Sequence, residues 1–369
     1  MAHWNKVLLP SCDGSAFTSN RTTPLEGAGG AVFLRGASIF QALIADLLAT
    51  STIRGRLLLA GGGSGGLGVM VHLDGLAVQI KAALPGFKGD VVGLSDSAFI
   101  PLAVAGERTH AVPLFAAAHS LWQPVLPLNG CGEDAEGWEC LFAEKITQYL
   151  QMPLYSVQAA HDCVHMQMCL LPDLASSASL PGSNSSEPAA SQLVHVGHWT
   201  DLEAIKERWE MAVREAIAPV LRSKRHGVYL NSCPARLQLL MNCGPAPERG
   251  ENGKLKKSSG ALLAPVSGGS SDAMFGGGSL ACSDCGGWRK HWVRVGCQLI
   301  NVREAFGDWY FSYYWKGGDA EYAKVLDRTR GGQNPSCRYI QEQRRAHSDD
   351  MLEAEVRQVD NVAFDGDEL

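Results

Sequence analysis

A chain of 369 residues, 46% apolar and 19% charged, is long enough for one large α/β domain with a sizeable core, or for two smaller ones. Its formal net charge of −6 argues against a nucleic-acid partner, which needs clustered Lys and Arg to neutralise phosphates. No apolar run reaches the length of a membrane-spanning helix.

The chain opens MAHWNKVLLP, without the basic flank, apolar stretch and small-residue cleavage site of a secretory leader. Its 11 cysteines nevertheless suggest disulfides and an oxidising compartment. Two sequons, Asn20-Arg21-Thr22 and Asn184-Ser185-Ser186, fit the same reading. A shortened N-terminus is the expectation that reconciles a secretory composition with the missing leader. The odd cysteine count leaves at least one thiol without a partner in this chain.

From Phe33 to Asp74 the pattern is helix, strand, glycine turn, helix. Ile39, Ala42, Leu43, Asp46 and Leu47 have helical spacing, and the apolar positions among them define the expected core face. Leu57-Leu58-Leu59-Ala60 is a short continuous apolar run, as a buried parallel strand requires. Gly61-Gly62-Gly63-Ser64-Gly65-Gly66 follows, and helical spacing resumes through Leu67, Met70 and Leu73-Asp74. Further strands are expected at Val91 to Leu94, Leu154 to Ala160 and Val228 to Leu230. Each ends in a polar residue or a turn, where α/β sheets carry their chemistry. The clearest helix starts at Thr200, with a capping box to Glu203 and a buried stripe through Leu202, Ile205, Trp209, Val213, Ala216 and Ile217. Alternating strands and helices imply a mostly parallel sheet covered by helices on both faces.

Residues 174–193 and 244–280 are rich in Ser, Ala, Pro and Gly and read as flexible insertions. Residues 1–339 are read as a single domain. The charged stretch 340–369 is read as a disordered tail or a solvated helix. It ends Gly366-Asp367-Glu368-Leu369, one residue from an ER-retrieval signal, and is taken as a coincidence of acidic composition.

The glycine turn supports three readings. A strand, G-x-S-x-G and a helix make a nucleophile elbow with Ser64 exposed above the sheet. A phosphate-binding loop also uses glycine-rich turns, but this one lacks the Gly-Lys-Ser/Thr ending. The third reading is a tight turn without chemistry.

Motifs in order along the chain narrow the choice. They are Cys12-Asp13-Gly14-Ser15-Ala16-Phe17, Phe33-Leu34-Arg35-Gly36-Ala37, Gly65-Gly66-Leu67 with His72 and Asp74, and Leu94-Ser95-Asp96-Ser97. Pro153-Leu154, Ala159-Ala160-His161-Asp162, Asn231-Ser232-Cys233 with Gln238, and Gly307-Asp308-Trp309-Tyr310-Phe311 follow. In these the chain resembles the pectin acetylesterase/Notum family, most closely its plant-type members. The resemblance implies an α/β-hydrolase-like fold and a carboxylic-ester hydrolase ancestry, with acetylated pectin as the partner and no cofactor. It implies secretion to the cell wall. It also implies that the N-terminal part of the sheet is missing here, together with the Gly-rich segment that supplies an oxyanion donor.

Carried over residue by residue, the resemblance makes Asp162 the acid that orients a catalytic histidine. Counting back without a gap from His72 and Asp74 puts Gly63 at the nucleophile position and Ser64 one place beyond it. Arg236 stands where the base histidine belongs, and a guanidinium cannot accept a proton at working pH. The expectation is therefore a catalytically impaired member that binds polysaccharide or another partner. An active acetylesterase using Ser64 is the alternative. The resemblance also implies a Cys131–Cys140 disulfide. Cys282-x-x-Cys285 with His291 and Cys297 lacks a second paired-ligand cluster, so no metal site is expected.

Overall fold

The computed structural model describes residues 4–27, 30–50, 53, 55–127, 130–131, 136–170, 202–233, 235, 238, 292–295, 298–313, 323–329 and 334. Both insertions, the 340–369 tail, the cap at Thr200, Arg236 and the Cys282–Cys297 cluster lie outside the described residues.

A short antiparallel hairpin, β1 (Leu25–Gly27) and β2 (Gly30–Val32), leads into helix α1 (Gly36–Thr50). The framework continues with β3 (Leu57–Gly62), α2 (Ser64–Ala83) and β4 (Val91–Asp96). A two-residue hairpin, β5 (Ala103–Val104) and β6 (Glu107–Arg108), precedes α3 (Ala111–Trp122). A 3₁₀ turn (Gly137–Leu141), α4 (Ala143–Tyr149), β7 (Leu154–Ala159) and α5 (Cys163–Leu170) follow. Then come α6 (Leu202–Arg222), β8 (Gly227–Asn231) and the hairpin β9 (Trp292–Val295) and β10 (Gln298–Asn301). The last elements are α7 (Val302–Asp308), a π turn (Trp309–Tyr313) and β11 (Lys324–Leu326).

Five strands form one parallel sheet in the order β11-β8-β7-β4-β3. Strands β4, β7 and β8 are buried throughout, which explains why their sequences are nearly continuous apolar runs rather than alternating ones. Alternate side chains serve the two faces. Leu57, Leu59, Val91, Leu154, Val228 and Leu230 join the core formed with α2, α4 and α6. Leu58, Val92, Leu94, Tyr155, Val157, Tyr229 and Val325 join a second core with α7 and the π turn. On that second face the Tyr155 ring lies 5.3 Å from Phe306 and 5.1 Å from Trp309, at angles typical of edge-to-face and tilted aromatic packing. A capping box starts α7: the Asn301 side chain accepts from Glu304 N, and the Glu304 carboxylate accepts from Asn301 N.

The helix expected after Thr200 is present as α6, and Trp209, Val213, Ala216 and Ile217 are buried. The first helix is present too, but its expected core face is not. Gly36, Ala37, Phe40 and Ile44 are the buried positions, whereas Ile39 and Leu43 are 40% and 38% exposed. A helix as apolar as GASIFQALIADLLAT offers two stripes with valid spacing. The stripe containing Phe40 is the buried one, and the Phe40 ring stacks on His72 at 4.2 Å and meets Phe17 edge-on at 6.3 Å. Cys131 and Cys140 are disulfide-bonded with Cα atoms 5.8 Å apart. Cys233 is disulfide-bonded as well, while Cys12 and Cys169 are free thiols.

Candidate functional site

The carboxyl ends of the parallel strands carry Ser64, Ser95-Asp96-Ser97, His161-Asp162 and Asn231-Ser232 from the motifs singled out in the sequence. At the end of β3 the chain turns into α2 within one residue. That residue is Gly63, buried, with φ 57° and ψ −120°, a conformation that side-chain-bearing residues adopt only under strain. Its N–H donates to the Asp96 carbonyl at 2.8 Å, and its carbonyl accepts from Gly66 and Leu67. The flanking glycines answer a different demand, close approach. A Cβ on Gly61 would lie 2.3 Å from the Gly65 carbonyl oxygen, and one on Gly66 would lie 2.6 Å from Ser95 Oγ. Ser64 is already the first residue of α2 and is exposed. The apex of the turn thus carries no side chain, and the nearest hydroxyl starts the helix beyond it.

Two residues further along α2 fix the helix to its surroundings. His72 Nε2 donates to the Phe17 carbonyl at 2.7 Å. Burial holds its pKa below the ordinary histidine value, against the upward pull of the Phe17 hydrogen bond. Asp74 accepts from the Gln151 and Met152 amides just before β7. Both are structural anchors. At the end of β4, Ser97 Oγ donates to Asp96 Oδ1 at 2.9 Å, and Ser97 N donates to the Val157 carbonyl.

At the end of β7, Asp162 is fully buried. Its Oδ1 accepts from the Val164 and His165 amides at 3.1 and 3.2 Å, which caps the N-terminus of α5. Its Oδ2 lies 3.6 Å from His165 Nδ1. Strand β4 separates β3 from β7, so Gly63 and Asp162 sit two strands apart on the same edge.

The end of β8 is held by a group the sequence did not advertise. Asp327, directly after β11, accepts from Ser232 N (3.0 Å), Ser232 Oγ (2.8 Å), Asn334 Nδ2 (2.6 Å) and Thr329 N (2.9 Å). Burial works to raise its pKa. Hydrogen bonds led by those from Asn334, Thr329 and Ser232 outweigh that and leave the carboxyl below its usual value. The Asp327 carbonyl accepts from Arg214, whose guanidinium also grips Glu210 at 2.6 Å. Glu210 in turn faces His161 Nε2 at 3.8 Å, and His161 Nδ1 donates to the Ser232 carbonyl at 2.9 Å. His161, the immediate neighbour of Asp162, therefore ties the β7 end to the β8 end. The only signal for Asp327 was a short apolar run, Val325-Leu326, ending in a carboxylate. Arg236 itself lies outside the described residues, but Ala235 and Gln238 on either side of it are buried, and the Asn231 side chain bonds both Gln238 and the Cys233 amide.

Among the described residues no cluster of His, Cys, Asp and Glu could hold a metal ion. An open cavity of about 610 Å³ lined by Ile53, Pro85, Phe87 and Lys88 opens at the other end of the sheet, away from these residues.

Comparison with known proteins supplies the family and the fold. A model of the family described as Pectinacetylesterase matches residues 1–244. Pectin acetylesterase 11 of Arabidopsis thaliana is 26% identical over 252 residues, covering 64% of this chain and 58% of the relative. The palmitoleoyl-protein carboxylesterase NOTUM of Drosophila melanogaster is 29% identical over 180 residues, covering 44% of this chain and 25% of the relative. This chain thus spans little more than half the length of the first relative and a quarter of the second. A crystal structure of the Wnt deacylase Notum from Drosophila superposes with a TM-score of 0.53 at 18% identity, over 89% of this chain and 73% of that one, which shows a shared fold. With the strand-to-helix turn, the parallel sheet and a family match across residues 1–244, this chain belongs to the pectinacetylesterase family.

Proposed function

We propose that this chain is a pectinacetylesterase-family protein that recognises acetylated polysaccharide but is catalytically impaired. The observation that carries the reading is Gly63 at the apex of the β3–α2 turn. Covalent ester hydrolysis needs an oxygen nucleophile at that apex, activated by a neighbouring base. Glycine supplies none. Asp162 is read as the orienting acid, buried at the end of β7, and Arg236 as the occupant of the base position. A guanidinium there cannot take a proton from any nucleophile. Removing one triad member alone costs several powers of ten in rate.

The cell wall or the secretory pathway is the proposed place of action. The Cys131–Cys140 disulfide and the match to plant pectin acetylesterases support that. Residues 1–339 are proposed to act as one domain.

A second reading has one observation in its favour. Ser64 is exposed at the N-terminus of α2, where helix amides favour negative charge on an oxygen. Hydrolysis of an aryl acetate and of acetylated pectin by purified protein separates the two. Impairment predicts rates equal to a heat-denatured control. Turnover that vanishes in Ser64→Ala would make Ser64 the nucleophile and overturn the proposal.

A further inference from the structure

We infer that Asn20 is the acceptor of an N-linked glycan, and that this glycan covers an apolar surface shared by α1 and α3. The inference rests on the secretory location proposed above. It adds a modified residue and what the modification does.

Asn20-Arg21-Thr22 is an acceptor triplet, and its asparagine must end on the surface because the sugar is bulky and hydrated. Asn20 and Thr22 are both exposed. Arg21 between them turns back onto the protein, donating to the Thr23 carbonyl through Nε and to the Leu121 carbonyl through Nη1. The backbone is fixed on both sides. Asn20 N donates to the Trp122 carbonyl at the end of α3, and Arg21 N donates to the Leu34 carbonyl just before α1. The Asn20 side chain leans on the first turn of α1, where its Oδ1 accepts from Ser38 Oγ at 3.2 Å. Its Nδ2 makes no hydrogen bond among the described residues, so a sugar on that nitrogen displaces no contact. The transfer takes a lipid-linked oligosaccharide diphosphate as co-substrate. A bond forms between Nδ2 and the anomeric carbon, the bond from that carbon to the diphosphate oxygen breaks with its electron pair, and Nδ2 gives up one proton.

Asn20 stands at the border of two unusually apolar helix faces. Beside Ser38 begins the solvent-facing stripe of α1, in which Ile39, Ala42 and Leu43 are exposed and Asp46 is the one charge of the helix. Helix α3, AVPLFAAAHSLW, contains no Asp, Glu, Lys or Arg. It buries only Ala111 and Val112 and leaves Leu121 44% exposed beside the Asn20 backbone. Contiguous apolar surface of this kind drives association unless something covers it. Neither helix carries a Lys or Arg, and a membrane surface selects helices that do. An oligosaccharide anchored between the two helices holds a second copy of the chain away, and the C–H faces of its rings pack on the aliphatic side chains.

The test is production of the full chain in a eukaryotic host behind an added secretory leader, scoring only secreted chains in which Cys131 and Cys140 are joined. Release of the glycan by an amidase in heavy-oxygen water should leave a labelled aspartate at position 20. Asn20→Gln and Thr22→Ala should each remove one glycan from the intact mass, the second while keeping the asparagine. Both variants should self-associate several-fold more than the wild type by light scattering. Adding Leu43→Ser to either should reverse that without restoring the sugar. Unmodified Asn20 in the secreted, oxidised chain would overturn the inference. A glycan at Asn20 whose removal leaves self-association unchanged would overturn it as well, since nothing would then be covered. The leader supplies the compartment, so both failures count against the site alone. The proposed location fails separately, if the natural chain is found with Cys131 and Cys140 reduced.

Discussion

Two ends of the same sheet edge are built in opposite ways. At β3 the turn is reduced to backbone: Gly61 and Gly66 leave room for tight approach, Gly63 supplies the positive φ, and no side chain stands at the apex. At β8 and β11 the loops are crowded with buried polar groups, in which one carboxylate, Asp327, takes donors from Ser232, Asn334 and Thr329. His161, Glu210 and Arg214 extend that lattice to β7 and α6. The difference teaches that one sheet edge can be fixed by backbone geometry at one strand and by side-chain hydrogen bonds at another. Here the loops after β8 and β11 are tied together by buried hydrogen bonds, while the apex of the β3–α2 turn carries no side chain. Energetically the two regions should respond to mutation very differently.

Removing the centre of the crowded end gives the largest expected effect. Asp327→Ala strands the Ser232 amide and the Asn334 side chain in a buried site, and a hydrogen bond to a charged group is worth about 1.5–3 kcal/mol. The expected loss is about 3 kcal/mol or more, measured as a drop in the urea midpoint at unchanged slope. A loss below about 1 kcal/mol would mean that the loops after β8 and β11 are held by something else.

Acid should loosen the underside of the same strands. His226, buried before β8, accepts from Leu154 N through Nδ1. Burial, helped by the charges of Arg225 and Lys324, brings its pKa down to about 4, outweighing the upward pull of the Thr147 backbone contact. The unfolded chain, with a histidine near 6.5, therefore binds a proton that the folded chain refuses. Stability from His226 is complete above pH 6.5 and is lost as pH falls toward 4, by up to about 3 kcal/mol. The depressed pKa of His72 acts in the same direction. Asp13 and Asp327, whose pKa values are lowered from 3.8, add their losses below that window. Urea midpoints at pH 7 and pH 4.5 should differ, and His226→Gln should flatten the difference. An unchanged pH slope in that variant would rule out His226 as its source.

How much of this contrast the sequence disclosed depends on how local its cause is. The bare end was legible, because a leucine run, six small residues and a helical pattern follow one another within Leu57 to Asp74. Asp162 was singled out through the resemblance of Ala159-Ala160-His161-Asp162 after an expected strand, and that strand is present as β7. Asp327 was not. Its strand has only three residues, Lys324–Leu326, and the partner it fixes at the end of β8, Ser232, lies 95 positions earlier, a distance that no spacing rule spans. The face of α1 was misjudged because burial there is decided by Phe17 and His72 across the fold, not by the helix itself.

The bare end should show smaller effects, with a sign set by backbone strain. At φ 57° and ψ −120°, any residue with a Cβ at position 63 holds a conformation costing about 1–3 kcal/mol. Part of that is offset by the lower entropy of the unfolded chain once glycine is replaced, about 0.4–1 kcal/mol. Gly63→Ala should therefore destabilise by about 1–2 kcal/mol. A stabilising Gly63→Ala would show that the turn is not strained as described.

The smallest effect is expected one residue on, and it bears hardest on function. Ser64 is exposed, begins α2 and is not its capping residue, the cap position being Gly63. Ser64→Ala trades an exposed serine for a better helix former, so stability should change by less than about 0.5 kcal/mol, upward if at all. Ester turnover, already at the level of the denatured control under the proposed reading, should not change either. A nucleophile behaves otherwise: its removal costs powers of ten in rate while leaving the fold intact. Running stability and hydrolysis on the same Ser64→Ala preparation therefore separates the two roles cleanly. Silence in both assays fits a turn that kept its geometry and lost its reacting atom. Unchanged stability with abolished hydrolysis would move the reactive centre from the apex to the first turn of α2.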